Sequence, residues 1–337
     1  MNYEEFKERV QNELKDYLGE DYKDTSVVIR ETMKVNKKVD HVVILGIPGH
    51  EHTSPSISVT DMFKSYQNTG DFEGEMEQLS NAIKKAVEAI NKTPMKSGLD
   101  FSTVDQNVFF TLINADQNRE LLETVPHREF EDLAIIYRWK IDGNKDGLYT
   151  NIITNKFAEE LGKSEQDLYE LAKENTKGLF PPTVRNMSDV LCDLLLDEAD
   201  LEDEIEQGFR GVMKDTPDDK AMYVISNKSN MYGAAAILYE DNLYDLSQKL
   251  ESNLYILPSS VHEVIALSDK FGNADELAQI VYEINMDQVD IDDRLSNQVY
   301  HYDKEARTLR LATDTINKSL TDIASENIPN YEAGKAR

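Results

Sequence analysis

Two apolar periods run through this chain, one helical and one strictly alternating, and together they predict most of its elements. Phe6, Val10, Leu14 and Tyr17 recur every three or four positions, which predicts an amphipathic first helix that Gly19 can end. Strand-like runs follow at 26–35 and 39–47, joined across Asn36-Lys37-Lys38 as a hairpin, and a short strand is expected at 56–59. Met76, Leu79, Ile83, Val87 and Ile90 mark a second helix, and 91–98 reads as a connection.

Further on, 108–114 reads as a strand. Leu133, Ile135, Tyr137, Trp139 and Ile141 alternate as a half-buried strand should, and 148–154 should pair with it across 142–147. Ser164 and Asp167 form a capping-box pattern ahead of Leu168, Leu171 and Ala172, and Pro181-Pro182 stops that region. An acidic helical stretch spans 188–209. Strands are then expected at 221–226, 234–239, 254–257 and 261–267, helices at 242–250 and 274–285, and a last hairpin at 299–302 and 308–312. After Ala312 the periodicity fades into a loosely ordered tail. The pattern predicts an α+β (mixed α/β) protein, with small antiparallel or mixed sheets built from hairpins and flanked by amphipathic helices. Its expected regions are 1–95, 100–215 and 218–312, with a tail at 313–337.

Composition narrows the class. A chain of 337 residues with 40% hydrophobic content can bury a substantial core, and one cysteine, Cys192, excludes an intrachain disulfide and a multi-cysteine zinc site. Met1-Asn2-Tyr3-Glu4-Glu5 has neither the basic start nor the apolar run of a signal peptide. The apolar stretch 231–239 falls far short of the roughly 20 residues that span a bilayer. A soluble, cytoplasmic protein is expected. The net charge of −28 argues against direct binding to nucleic acid or an anionic membrane. Spread over the surface, such charges lie about 20 Å apart, beyond a Debye length of about 8 Å, so overall acidity is not mimicry of DNA.

Several motifs approach a chemistry without completing it. Asp142-Gly143-Asn144-Lys145-Asp146-Gly147 matches the first half of a calcium loop, but the twelfth position, which needs a bidentate acid, is Ile153. A hairpin tip accounts for it better. His50-Glu51-His52 could offer two imidazoles to a metal, yet its Gly/Pro/Ser surroundings read as a solvated loop. In 258–263, Ser260 and His262 share one face if extended, with Glu263 on the other. A nucleophile and base would need an elbow and an oxyanion loop that are absent here, so capping serines and a surface histidine are the plainer reading. His127 and Arg128 could hold an anion or complement a helix end. The dense acidic run Asp193, Asp197, Glu198, Asp200, Glu202, Asp203, Glu204 and Glu206 keeps an apolar stripe and reads first as a solvated helix face. No Walker loop or dinucleotide fingerprint occurs, and no cofactor or metal is expected.

The segments "MNYEEFKERV", "VPHREFEDLAIIY", "DLYELAKENTKGLFPP", "MYVISNKSNMYGAAAILY", "LYILPSSVHEVIAL" and "LSNQVYHYD" give the chain a resemblance to an uncharacterised bacterial family, domain of unknown function family 5688. The likeness covers Tyr3 to Ala312. From Leu133 onward the order of elements is also similar, more weakly, to domain of unknown function family 1444. Neither resemblance implies an activity or a catalytic residue.

The leading reading is a non-enzymatic interaction or regulatory module that engages a basic protein through Asp193, Asp197, Asp200 and Glu204. The alternatives are a small hydrolase or ligand-binding enzyme using His127, Ser260, His262 and Glu263, and an acidic inhibitor imitating nucleic acid. The enzyme requires two distant segments to share one pocket; the mimic requires parallel rows of carboxylates at phosphate spacing.

Overall fold

A computed structural model describes residues 1–47, 55–92, 101–144, 147–197 and 221–313. Its contacts divide the chain into two compact units, Met1–Asp100 and Phe101–Arg337.

In the first unit the opening helix, Tyr3–Leu18, starts from a capping box in which Asn2 and Glu5 satisfy each other's backbone N–H groups. It buries Phe6, Val10, Leu14 and Leu18 and ends at Gly19, whose φ of 86° suits glycine. Strands β1 (Ser26–Lys34) and β2 (Lys37–Leu45) form the expected hairpin. The turn is tighter than predicted. Val35-Asn36 makes it, with Asn36 at φ 61°, a left-handed conformation that asparagine tolerates, so Lys37 and Lys38 belong to the strand. β3 (Ser56–Ser58) pairs with β2. A helix not anticipated from the sequence, Val59–Thr69, follows at once with Ser58 as its cap, and Phe72–Lys92 completes the unit. Phe63, Tyr66 and Phe72 surround the Phe6 ring at 5.2–5.4 Å between centroids.

The second unit holds two antiparallel sheets. In one, β4 (Val108–Asn114), β5 (His127–Phe130), β6 (Leu133–Asn144) and β7 (Gly147–Ile152) are arranged with β6 central, β4 on one side and β5 and β7 on the other. The other has six strands: β8 (Pro182–Asn186), β9 (Met222–Asn227), β10 (Leu254–Leu257), β11 (Val264–Ser268), β12 (Tyr300–Asp303) and β13 (Thr308–Leu311), in the order β13-β12-β10-β11-β9-β8. Among the described residues three sheets, all antiparallel, with flanking helices make this an α+β protein.

Leu133, Ile135, Tyr137 and Trp139 of β6 share a core with Phe110 and Leu112 of β4 and with Tyr223, Ile225, Leu254 and Ile256 of the six-stranded sheet. Helices Glu165–Leu179 and Glu240–Lys249 add Leu168, Ala172, Leu243 and Leu246 to it. β6 is not half-buried as expected. Ala134 and Ile136, pointing the other way, are also fully buried, because the strand is central and covered on both faces. Helix Ala274–Asp287 covers the far face of the six-stranded sheet through Leu277, Ala278 and Val281.

The expected strand at 234–239 is instead a 3-10 helix, Gly233–Leu238. It lies so close to β9 that a Cβ on Gly233 would meet Ser226 Oγ at 2.2 Å and the His262 carbonyl oxygen at 2.4 Å. Small side chains, not an alternating pleat, permit that approach. β8 was also not expected; it starts at a proline and lies at the sheet edge, where a missing donor is tolerated.

Candidate functional site

β5 begins at His127, directly after Val125-Pro126, and sets the imidazole at the wall of an open groove of about 610 Å³. Leu122, Val125, Pro126 and Ala158 supply apolar lining; Glu123, His127, Asn155, Glu159, Lys163 and Glu165 supply the polar part. Two hydrogen bonds tie its sides together. The Asn155 N–H donates to the Thr124 carbonyl at 2.9 Å, and Asn155 Nδ2 donates to the Glu123 carbonyl at 3.1 Å. Thr154 caps helix Asn155–Leu161, which Gly162 ends at φ 65°; Ser164 then starts the next helix through its capping box with Asp167.

His127 Nδ1 lies 3.1 Å from the Val125 carbonyl oxygen. A carbonyl only accepts, so Nδ1 carries a proton, and Nε2 meets no partner among the described residues. Beside it, Glu165 accepts from Arg128 Nε at 3.1 Å, from Arg128 Nη2 at 2.9 Å and from the Tyr137 hydroxyl. Arg128 also donates to Gln166 Oε1 at 2.8 Å and stacks 3.7 Å from the centre of the Tyr169 ring. Burial, the largest single influence on Glu165, pushes its carboxyl up; the Arg128 and Tyr137 hydrogen bonds and the Arg128 charge outweigh it, and the group is held below its ordinary value. Burial and then Glu165 push the Tyr137 phenol well up.

The cations at this groove are committed. Arg128 belongs to Glu165, and Lys163 bridges to Asp105 at 2.9 Å. The exposed carboxylates of Glu123 and Glu159 meet no partner among the described residues. What the groove offers a ligand is therefore a set of acceptors: two carboxylates and an imidazole lone pair.

Ser260, His262 and Glu263 do not line it. Both ring nitrogens of His262 are occupied: Nδ1 accepts from the Tyr232 N–H at 3.3 Å, and Nε2 lies 3.2 Å from Asp293 Oδ1. Ser260 Oγ accepts from the His262 backbone N–H at 3.0 Å rather than facing the ring, and Ser260 itself forms a β-bridge with Arg294. Here the serine braces a turn. Burial pushes the Glu263 carboxyl up, Asp293 adds to the effect and His262 opposes it.

A sequence signature matches residues 3–304 of the chain. The chain belongs to DUF5688, a family of unknown function. No curated protein and no solved structure matches it.

In this DUF5688 chain some of the remaining sequence candidates lie among the described residues. Asp193 and Asp197 lie in helix Met187–Asp197, where Asp193 pairs with Arg185. Asp200, Glu204 and the rest of the acidic run lie outside the described residues, as do His50 and His52. At the calcium-like segment Asn144 pairs with Gly147 across the β6–β7 hairpin, and 145–146 lie outside the described residues. No group of three or more His, Cys, Asp or Glu is placed to hold a metal among the described residues, and no helix there is long and apolar enough to cross a membrane.

Sequence reasoning found His127 and Arg128 but not Glu165 or Tyr137. Their separations from the residues they bond, 37 positions for Arg128–Glu165 and 28 for Tyr137–Glu165, belong to no local period. The one available signal was the capping box at Ser164, which puts Glu165 at the start of a helix.

Proposed function

We propose that this DUF5688 chain is a non-enzymatic binding protein whose His127 groove takes a lysine- or arginine-bearing peptide segment. The observation behind the proposal is the imbalance of the groove: open acceptors on Glu123, Glu159 and His127, with Lys163 and Arg128 already neutralised. A basic side chain has a matching character. Its aliphatic stem can lie on Leu122, Val125, Pro126 and Ala158 while its head donates to the carboxylates and to Nε2. The volume lies within the range of about 300–1,000 Å³ usual for ligand sites. A basic protein partner, suggested by the overall acidity, would present such segments.

Calorimetric titration with tetralysine tests the proposal, with tetraglutamate as the control for charge sign. The Glu123→Gln/Glu159→Gln double variant should bind tetralysine about tenfold more weakly, a loss of about 1.4 kcal/mol. The same two charges removed at exposed Glu276 and Glu305 should leave affinity nearly unchanged. Equal losses in both double variants would reduce the binding to diffuse attraction and sink the assignment to this groove.

A further inference from the structure

β6 carries a half-buried cation, which the groove does not use. Arg138 projects from the face of the four-stranded sheet opposite the shared core, paired across the ladder with Phe109. It is half-buried, and its Nε is sealed from water without a hydrogen-bond partner. Nη1 donates to Thr150 Oγ1 at 3.2 Å, and the guanidinium lies 4.7 Å from the centre of the Tyr232 ring. No carboxylate meets it among the described residues. On the adjacent rung of the same face, Thr111 also has its hydroxyl buried without a partner.

A guanidinium remains charged in a protein, so a half-buried one with no countercharge carries an uncompensated desolvation cost. Burial pushes Arg138 below its ordinary value, with Tyr232 opposing the shift. Other arginines in this chain have acceptors: Arg128 has Glu165, Arg185 has Asp193, Arg307 has Glu240, and Arg294 donates to the Val289 and Met286 carbonyls. Tyr232, which covers the Arg138 guanidinium, is itself held at φ 56°, an unfavourable region for a bulky residue, by its N–H bond to His262 Nδ1. Thus the flat face of the fork is fixed by Tyr232 and one arm by Thr150, while the Nη2 arm meets no acceptor among the described residues and is not sealed.

We propose that Arg138 is an oxyanion-binding residue, which takes the carboxylate or phosphate group of a small ligand on the open Nη edge of its guanidinium. Thr150 and Tyr232 position the fork, and the guest supplies the countercharge the fold leaves out.

The test is thermal unfolding of the full chain against millimolar sodium phosphate or sodium acetate, below the range of general salting effects, with ionic strength held by a bulky sulfonate. The wild-type midpoint should rise and saturate with at least one anion. Arg138→Met should show no saturable rise, and Arg138→Lys, which keeps the charge but loses the fork, should need about tenfold more anion. A response to phosphate alone identifies a phosphate-bearing ligand, one to acetate alone a carboxylate, and one to both the shared oxyanion chemistry. A flat wild-type profile with both anions overturns the proposal, as does a rise of equal size in wild type and Arg138→Met. Should Arg138→Met fail to fold, calorimetric titration of each anion into wild type and Arg138→Lys decides. Absence of saturable heat in wild type, or equal affinity in the two proteins, overturns it.

Discussion

At His127 a single backbone contact sets the chemistry of the ring. Nδ1–H donates to the Val125 carbonyl, which leaves Nε2 as the ring nitrogen that can accept at the groove wall. Glu165, next to it, is fastened by Arg128 and Tyr137, and its depressed value has a consequence for acid stability. A carboxyl held lower in the folded than in the unfolded chain contributes stability above its unfolded value; the contribution is lost as pH falls through the folded value. Wild type should therefore lose this part of its stability below the ordinary glutamate value of 4.5. Glu165→Gln should be less stable at pH 7 and show a shallower acid limb in denaturant unfolding at stepped pH; parallel limbs would contradict the pairing. Gly233 makes a second prediction. Its Cβ position is occupied by the His262 carbonyl oxygen at 2.4 Å, so Gly233→Ala should destabilise by about 1–3 kcal/mol through overpacking. Chemical denaturation measures that directly.

Among the elements, those with a long regular period were legible in the sequence. β4, β10 and the last hairpin agree with the apolar pattern almost to the residue, and the helices beginning at Tyr3, Phe72 and Ala274 follow from their stripes. Caps were legible too, because Ser164 and Asp167 need only local spacing to meet. Ser164→Ala should cost about 1 kcal/mol, measured by chemical denaturation, since it removes the hydroxyl that accepts from the Asp167 N–H and donates to the Asp167 carboxylate. Helix Val59–Thr69 also had a readable signal, in the spacing of Val59, Met62, Phe63 and Tyr66 after the Ser58 cap, masked by the strand-like residues that precede it. β5 offered no such period: His127-Arg128-Glu129-Phe130 is four mostly polar residues, made a strand by pairing with β6. The 3-10 helix at Gly233 was hidden for a different reason. Its apolar run reflects burial on all sides, which periodicity cannot separate from a buried strand. The site was legible only as isolated residues, since the sheet brings Tyr137 and Arg128 to Glu165.

Across the whole molecule, two units with separate cores imply separable unfolding. Met1–Asp100 has its own cluster around Phe6, and Phe101–Arg337 has the core shared by its two sheets. Scanning calorimetry should resolve more than one transition, with a calorimetric enthalpy above the van't Hoff value; a single two-state transition would contradict independent units. The net charge of −28 acts at this scale as well, attracting any cation from a distance without specifying where it binds. Specificity must come from the groove, and the most direct measurement is NMR of the histidine ring signals during a tetralysine titration at moderate salt. The chain has 6 histidines, so its own rings serve as controls. Binding in the groove predicts that the His127 signals shift and saturate in wild type and need about tenfold more tetralysine to do so in Glu123→Gln/Glu159→Gln. Shifts spread evenly over all the histidines, or a silent His127 while peptide binds, would contradict it.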